Sequence, residues 1–337
     1  MVEVVTGIFQ LQLPMPDSRL SSVSSYLAKT DEGCLLVDCG WDCDEAFDAL
    51  ALQLGEVGVS FSDLRYIAVT HLHRDHYGLV GRLLPRTQAE LVIHEVDRGQ
   101  IEDIYVCRET FVQEMDHWLQ INGVPEDDRR EMWKANLQGI SLDTIAMPHR
   151  QVRGGEHLCL GGFDFEVIWT PGHSPGHICL YERSRRVLIS GDHVLPAITP
   201  HVSMHIQSVG NPLLDYLASL HVVEALPVDV VLPAHEHVFY DLPRRAEEIR
   251  KHHVVRKSEI ASVLGGVERT AFQIAMVLPW STLSVAWADL ALPHQHSAIS
   301  ETLAHLKLML VEGTVTNAVR DGVVWYSLVK NHRASAA

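Results

Sequence analysis

From its start to about residue 95 the chain alternates short apolar runs with turn residues. The runs SSYLAKT (24–30) and GCLLVDCG (33–40) flank Asp31-Glu32-Gly33, which predicts a hairpin with an acidic, glycine-assisted turn. Residues 43–54 (CDEAFDALALQL) repeat apolar positions at helical spacing, and LRYIAVT (64–70) follows as a buried strand. Strand-like runs return in FDFEVIWT (163–170) and RRVLISGD (185–192), so the first part of the chain reads as α/β. Between about 97 and 150 the period becomes helical. FVQEMDHWLQ sets Phe111, Met115, Trp118 and Leu119 on one helical face. NGVPEDDRREMWKANLQG then puts Pro125 in a first helical turn, acids just after it, and Gly139 as a stop. This predicts a helical insertion. Most of its large apolar residues (the candidates being Phe111, Met115, Trp118, Trp133 and Leu137) are expected to pack it onto the strand-rich body of the same 1–250 domain. One or two, with Trp118 as the candidate, are expected to wall a substrate site. Beyond about residue 250, SEIASVLGG and TAFQIAMVL read as helices and SAISETLAHLKLMLVEG as an amphipathic helix ending at Gly313. TVTNAVRDGVVWYSL reads as a hairpin turning at Asp321-Gly322. Helices followed by a two-stranded wing predict a small winged-helix-like domain over 251–337, behind a larger domain over 1–250.

Composition narrows the class. The 337 residues suit two domains at roughly 100–200 residues each. A 47 % hydrophobic content excludes a disordered or collagen-like chain. No apolar run approaches the ~18 residues of a bilayer span. The start, MVEVVTGIFQ, lacks a basic segment followed by an apolar one. Cys34, Cys39, Cys43, Cys107, Cys159 and Cys179 form no CxxC pair, so reduced thiols and a cytoplasmic location are expected, with no membrane partner. A formal charge of −16 repels phosphate backbones, and nucleic acid is not an expected partner. Residues 251–337 carry 8 Lys+Arg against 6 Asp+Glu with no basic cluster on the helix at 297–312, so the wing is expected to serve packing, dimer contact or pocket closure.

The chemistry concentrates at THLHRDHYG (70–78). His71 and His73 leave a strand two residues apart and are expected to point the same way, while Asp75 and His76 follow where the chain turns into a helix. Gly78 permits a tight backbone there. Three later apolar runs end in a small or rigid residue and then a donor: His173 in WTPGHSPGH, Asp192 in RRVLISGDH, His235 in DVVLPAHEH. Strand ends on one edge are where α/β sheets build sites. Five imidazoles and two carboxylates without thiolates suit zinc or another borderline divalent ion, and are enough to hold two. Asp38, at another strand end, is a candidate to hydrogen-bond a ligand histidine. His193 and His201, with His177, His205 and His237, are candidates to orient a ligand or touch substrate.

The run HLHRDH with His173, Asp192 and His235 resembles the metallo-β-lactamase-fold hydrolase superfamily, whose hallmark is H-x-H-x-D-H. The resemblance covers about residues 1–250, and the C-terminal segment resembles the winged-helix tail of one branch. It implies an αββα sandwich and a dinuclear site: His71, His73 and His173 on one ion, Asp75, His76 and His235 on the other, Asp192 bridging. Zinc is expected, with iron or manganese as alternatives; His73 stands where the diiron oxidoreductase branch carries an acid. A hydroxide shared by ~3.5–4 Å-spaced ions would attack a small ester-like substrate (thioester, lactone or related acyl compound), with Asp75 orienting it or carrying its proton. The alternatives on the same scaffold are an RNA nuclease and a β-lactam hydrolase. The acidic balance speaks against the first, the absent export signal against the second. Gly172-His173-Ser174-Pro175-Gly176 also matches the G-x-S-x-G nucleophile elbow, but Pro175 lacks the N–H that an oxyanion hole needs after the serine. A metal-free binding module would keep seven polar groups at a buried edge without a partner ion, at a cost.

Overall fold

The computed structural model describes residues 1–16, 20–102, 108–137, 145–204, 206, 208, 210–280 and 285–329, without the side chains of 108, 109, 133, 136 and 137. In chain order come β1 (Val2–Val5), β2 (Ile8–Pro14), β3 (Ser22–Thr30), β4 (Gly33–Val37), α1 (Asp44–Glu56), β5 (Leu64–Ala68), α2 (Arg74–Tyr77), α3 (Val80–Leu83), β6 (Glu90–His94) and α4 (Glu95–Ile101). Next are α5 (Arg108–Ile121), α6 (Glu126–Leu137), β7 (Arg150–Val152), β8 (His157–Leu160), β9 (Phe163–Trp169), β10 (Ile178–Glu182) and β11 (Val187–Gly191). Last are α7 (Pro212–Glu224), β12 (Val230–Pro233), α8 (Leu242–Leu264), α9 (Ala271–Ala275), α10 (Leu292–Val311), β13 (Val315–Arg320) and β14 (Val323–Leu328). They form two compact units, Met1–Cys107, Ser141–Pro200 and Asp215–Glu248 in the first, and Arg108–Ile140, His201–Leu214 and Ile249–Ala337 in the second.

The first unit is a sandwich of two sheets, one ordered β1-β2-β3-β4-β5-β6-β7 and the other β12-β11-β10-β9-β8. Its inner strands are apolar on both faces because both faces are covered. Tyr26, Leu35, Val37 and Val92 point from the first sheet into the layer shared with Phe165, Val167, Leu180 and Ile189 of the second. Their neighbours Leu27, Leu36, Leu91 and Ile93 point the other way, onto Leu50 and Leu54 of α1 and Val80 and Leu83 of α3. Period-two alternation sorts the side chains between these layers. The Asp31-Glu32-Gly33 turn joins β3 to β4 as expected, Gly33 at a φ of 125° that favours glycine.

Strands β4, β5, β6 and β7 run parallel, as do β11 and β12. Two hydrogen bonds stitch the ends of the sheets together, Ser24 N–H to the Ala234 carbonyl (2.6 Å) and the Tyr26 hydroxyl to the Pro233 carbonyl (2.7 Å). They hold the end of β12 against the first sheet, and Ala234 N–H to the Gly191 carbonyl (3.0 Å) does the same against β11. On the far side, α7 is tied to the loops after β9 and β11 by Ser219 Oγ to the Pro171 carbonyl and Tyr216 Oη to the His193 carbonyl.

One acid of this unit is buried away from any partner charge. Asp97 on α4 is 1 % exposed, and burial pushes its pKa up to about 8, opposed only by the Gly176 amide. Its unfolded value is about 3.9. A raised folded value means stability is fully present below about pH 4 and is lost as pH climbs toward 8. Asp97→Asn, which cannot ionise, is therefore expected to have a Tm advantage over wild type that grows between pH 4 and 8 and levels off above. Thermal melts across that range check it; a constant difference would refute it.

The second unit groups the helical insertion with the C-terminal elements. Met115, Trp118 and Leu119 of α5 and Met132 of α6 pack with Ile260 and Leu264 of α8, Phe272 of α9, Leu303 and Leu306 of α10, and Tyr326 of β14. Sequence pattern assigned these apolar faces to the rest of a 1–250 domain. Here they share a core with residues after 250 instead. The expected boundary at 250/251 lies inside the continuous helix α8, which begins at Leu242, well before the SEIASVLGG run. Helix α10 ends at Val311, just before Gly313, and β13 and β14 pair antiparallel around Asp321-Gly322 as expected. Gly139 and the side chains of Trp133 and Leu137 lie outside the described residues.

Candidate metal centre

Five chain segments of the first unit deliver the site, each just past a strand end. Asp38 follows β4, His71 to His76 follow β5, His173 follows β9, Asp192 follows β11 and His235 follows β12. Strand β5 stops at Ala68, so His71 and His73 do not converge by strand alternation. Bends at 70, 72 and 73 bring their rings together, and α2 then turns Asp75 and His76 inward. Gly78 ends that turn where a β-carbon would lie 2.3 Å from the Arg74 carbonyl oxygen and 2.6 Å from the Asp42 nitrogen, so only glycine lets the chains approach.

His71, His73, His173 and Asp192 form one group of donor atoms, and Asp75, His76 and His235 a second. In the first, His71 Nε2, His73 Nδ1 and His173 Nε2 lie 2.8, 3.0 and 3.1 Å apart pairwise. Three mutually adjacent nitrogens have only two roles to share, donor and acceptor, so at least one pair must clash. A cation that takes a lone pair from each removes the conflict. The network also assigns one tautomer. Thr70 Oγ spends its proton on Asp38 Oδ2 (2.9 Å), so His71 Nδ1–H donates to Thr70 Oγ (3.1 Å) and Nε2 keeps its lone pair for the centre. Burial, with neighbouring His76, His73 and His173, holds His71 well below the usual imidazole range; burial and His173 do the same to His73. Neutral imidazoles are the form a metal requires.

The second group is its electrostatic complement. Burial opposes charge on His76, yet Asp38, Asp75 and Asp192 raise it well above its usual range. His235 is likewise raised, to about 10, by Asp192 and Asp75 against burial. Burial would raise Asp75, but His76 and His235 override it and hold it at about 2; Asp192 is held well below the carboxylate range by His235 and His76. Asp192 faces both groups, Oδ2 at 3.5 Å from His173 Nε2, Oδ1 at 3.6 Å from His76 Nε2 and 3.4 Å from His235 Nε2. Asp75 Oδ2 stands 3.6 Å from His76 Nε2 and 3.2 Å from His235 Nε2. His76 Nε2 and Asp192 Oδ1 are both buried with no hydrogen-bond partner. Orphaned polar atoms amid carboxylates that hold protons on imidazoles fit a site built for cations. The residues therefore fit a dinuclear metal cofactor.

Behind the donors stands a supporting layer. Asp38, at a φ of 60°, accepts Thr70 N–H on Oδ1 (2.7 Å) and His76 Nδ1–H on Oδ2 (2.7 Å), so the candidate strand-end acid does bond a histidine of the run. Asp38→Ala would leave buried donors on Thr70 and His76 unpaired. It is expected to weaken metal binding ~10–100-fold while leaving circular dichroism unchanged; metal titration with unaltered affinity would refute this. His177 Nε2 accepts Asp192 N–H (3.1 Å), so its Nδ1–H donates to Thr170 Oγ (2.7 Å). His193 is fully buried, 4.9 Å from the Tyr216 ring and 5.8 Å from that of His177, and burial pushes it down to about 3. Sequence reading passed over Thr70, Thr170 and Glu236, although Thr70 directly precedes the first histidine. Glu236 sits at a φ of 70° and accepts the amides of Ala197 and Ile198.

The remaining candidates have the following surroundings. His201 belongs to the second unit, where Nδ1 donates to Glu301 (2.9 Å) and Nε2 accepts from Ser203 Oγ. Trp118 is packed in that unit's core with its ring 5.5 Å from that of His296. His237 is exposed, and His205 lies outside the described residues. The G-x-S-x-G segment runs from β9 straight into antiparallel β10 with no helix after Ser174, so it is no nucleophile elbow.

The description of the metallo-beta-lactamase superfamily matches residues 19–235. The chain is 24 % identical to "Probable metallo-hydrolase YqjP" of Bacillus subtilis (strain 168), over 96 % of this chain and 98 % of that protein. It is 22 % identical to "Thioesterase pkgB" of Emericella nidulans over 73 % of this chain and 55 % of that longer protein. In three dimensions it is similar to "metallo-beta-lactamase family protein TTHA1429" of Thermus thermophilus, with a TM-score of 0.82 and 29 % identity over 97 % of this chain and 100 % of that one. Among the described residues no helix is long and apolar enough to cross a membrane. A family match over most of its length, laid on a two-sheet sandwich whose strand ends gather two donor groups, places this chain in the metallo-beta-lactamase superfamily as a metal-dependent hydrolase.

Proposed function

We propose that this hydrolase cleaves a small ester-like substrate, a thioester, lactone or related acyl compound, with two divalent cations seated in the paired donor groups. The observation that carries the reading is Asp192, whose two oxygens face different groups at 3.4–3.6 Å. One structural ion has no use for a carboxylate between two donor sets. His71, His73 and His173 would hold one cation, Asp75, His76 and His235 the other, with Asp192 shared. Imidazole and carboxylate without thiolate favour zinc, and admit iron or manganese. Bound there, the ions supply Lewis acidity and a water whose pKa falls from 15.7 to about 7.

The protein's own groups do the rest. Asp75, kept ionised by His76 and His235 and partly open to solvent, would orient the attacking water or carry its proton to a leaving thiolate or alkoxide. Asp38 and Thr70 keep the imidazole edges aimed. Substrate class rests on charge. At −16 the chain is a poor host for a polyanion, whereas a small acyl compound is indifferent to that field. The thioesterase among its relatives points the same way. The near-neutral C-terminal segment, read as winged-helix-like, is proposed to serve packing, contact with a second copy or pocket closure.

Purified, zinc-loaded protein assayed on thioesters, lactones, aryl esters, β-lactams and short RNA tests the reading. Turnover confined to RNA or to β-lactams would overturn it. Asp75→Asn is expected to lose ~10²–10⁴-fold in kcat with the fold intact. Retained turnover would remove Asp75 from proton transfer.

A further inference from the structure

The loop that carries His173 is gripped from outside the donor set. It leaves β9 at Trp169 and enters β10 at Ile178. Across it stands the chain from the end of β6 into α4. The Trp169 indole N–H donates to the Pro175 carbonyl (3.0 Å), and its ring stacks on that of His94 at 5.2 Å and 9°. His94 is buried and accepts Val96 N–H at the start of α4. One turn on, the Asp97 carboxyl lies against the backbone of Gly176, where a β-carbon would sit 2.0 Å from Oδ1 and 2.9 Å from Oδ2. Neither Asp97 oxygen makes a hydrogen bond of good geometry among the described residues, and the polar group it lies against is the Gly176 amide.

An acid at this position needs a reason. Burying a carboxyl without a charge partner costs free energy, and a space-filling role would be met more cheaply by an apolar residue. The feature that only a carboxyl or an amide supplies is an acceptor for the Gly176 amide. That amide sits between His173, which offers Nε2 to His71 and His73, and His177, which accepts the Asp192 amide. We propose that Asp97 is a positioning residue of the metal centre: by holding Gly176 it sets the loop that presents His173 and His177. This rests on reading the centre as a site for two cations. At neutral pH burial keeps much of the Asp97 carboxyl in its neutral form, so asparagine is its faithful replacement.

The test is a zinc titration against a competing chromophoric chelator, on wild type, Asp97→Asn, Asp97→Ala and Trp169→Phe, with circular dichroism and Tm alongside. Asp97→Ala is expected to weaken the zinc site that includes His173 ~10–100-fold and the other, through the shared Asp192, to a lesser degree. Asp97→Asn should match wild type, and Trp169→Phe, which keeps the ring stack but loses the bond to Pro175, should weaken the same site to a lesser degree. A lower Tm with both affinities unchanged in Asp97→Ala would make Asp97 merely structural and overturn the proposal, as would Asp97→Asn losing as much affinity as Asp97→Ala. Should Asp97→Ala not fold, unchanged affinity in Trp169→Phe overturns it. A wild-type protein that takes up fewer than two zinc ions would instead overturn the dinuclear reading, and the wild-type curve by itself tells the two failures apart.

Discussion

Asp192→Asn is expected to be the most damaging single replacement in this protein. It should lower kcat/KM by at least ~10³-fold, about 4 kcal/mol of transition-state stabilisation, and cut the metal content. Among the described residues the carboxylate faces both donor sets, and it helps hold His76 and His235 in a negative field. An amide keeps the shape and removes the charge. Two cations would then lack the anion that offsets their mutual repulsion, so the second should be lost first. The buried backbone N–H of Asp192 still has His177 as acceptor, so the fold should survive. Elemental content, circular dichroism and turnover on the preferred ester measure the three effects. Two full equivalents of metal with turnover within tenfold of wild type would refute the shared role of Asp192.

Stripping metal with a strong chelator should abolish turnover and lower Tm, with both restored by zinc. Three ring nitrogens within 3.1 Å of one another, and two buried atoms without partners, leave the metal-free centre electrostatically unfavourable. A ligand that binds only the folded state stabilises by about 2.7 kcal/mol at a hundredfold excess over Kd. For a unit of ~200 residues each kcal/mol moves Tm by ~2–4 °C, so a rise of roughly 5–10 °C is expected on adding zinc. Magnesium, which prefers oxygen donors, should give little. Unchanged Tm with zinc, manganese and iron, together with chelator-resistant turnover, would end the reading of this centre as a metal site.

The candidate site was legible to different depths. His71, His73, Asp75 and His76 fall within six residues, so their density is visible without a structure. His173, Asp192 and His235 each follow an apolar run, and parallel and crossover strands bring such run ends to one edge. Asp38 was legible as a strand-end acid, although its φ of 60° and its bonds to Thr70 and His76 were not. Thr70 was missed because a threonine after a strand has no distinguishing signal until its hydroxyl is seen between Asp38 and His71. For His201 and Trp118 residue type and neighbourhood suggest a place near substrate, and only the fold shows His201 bonded to Glu301 and Ser203 and Trp118 packed in a helical core.

By itself the sequence determined β3, β4, β5, β9, β11 and β12, most of the helices, the hairpin at Asp321-Gly322 and the donor list. These follow from period, turn chemistry and spacing within windows of a few residues. Only the tertiary structure decided which apolar faces share a core, so the insertion grouped with the C-terminal helices and α8 ran through the expected boundary. It alone also showed that Asp192 stands between two donor groups and that the Asp97 carboxyl lies against the backbone of Gly176. Burial of apolar surface is non-directional, so an amphipathic face carries no address for its partner. A hydrogen bond or a shared carboxylate depends on ångström-scale placement of residues far apart in the chain, which exists only once the sheets have closed.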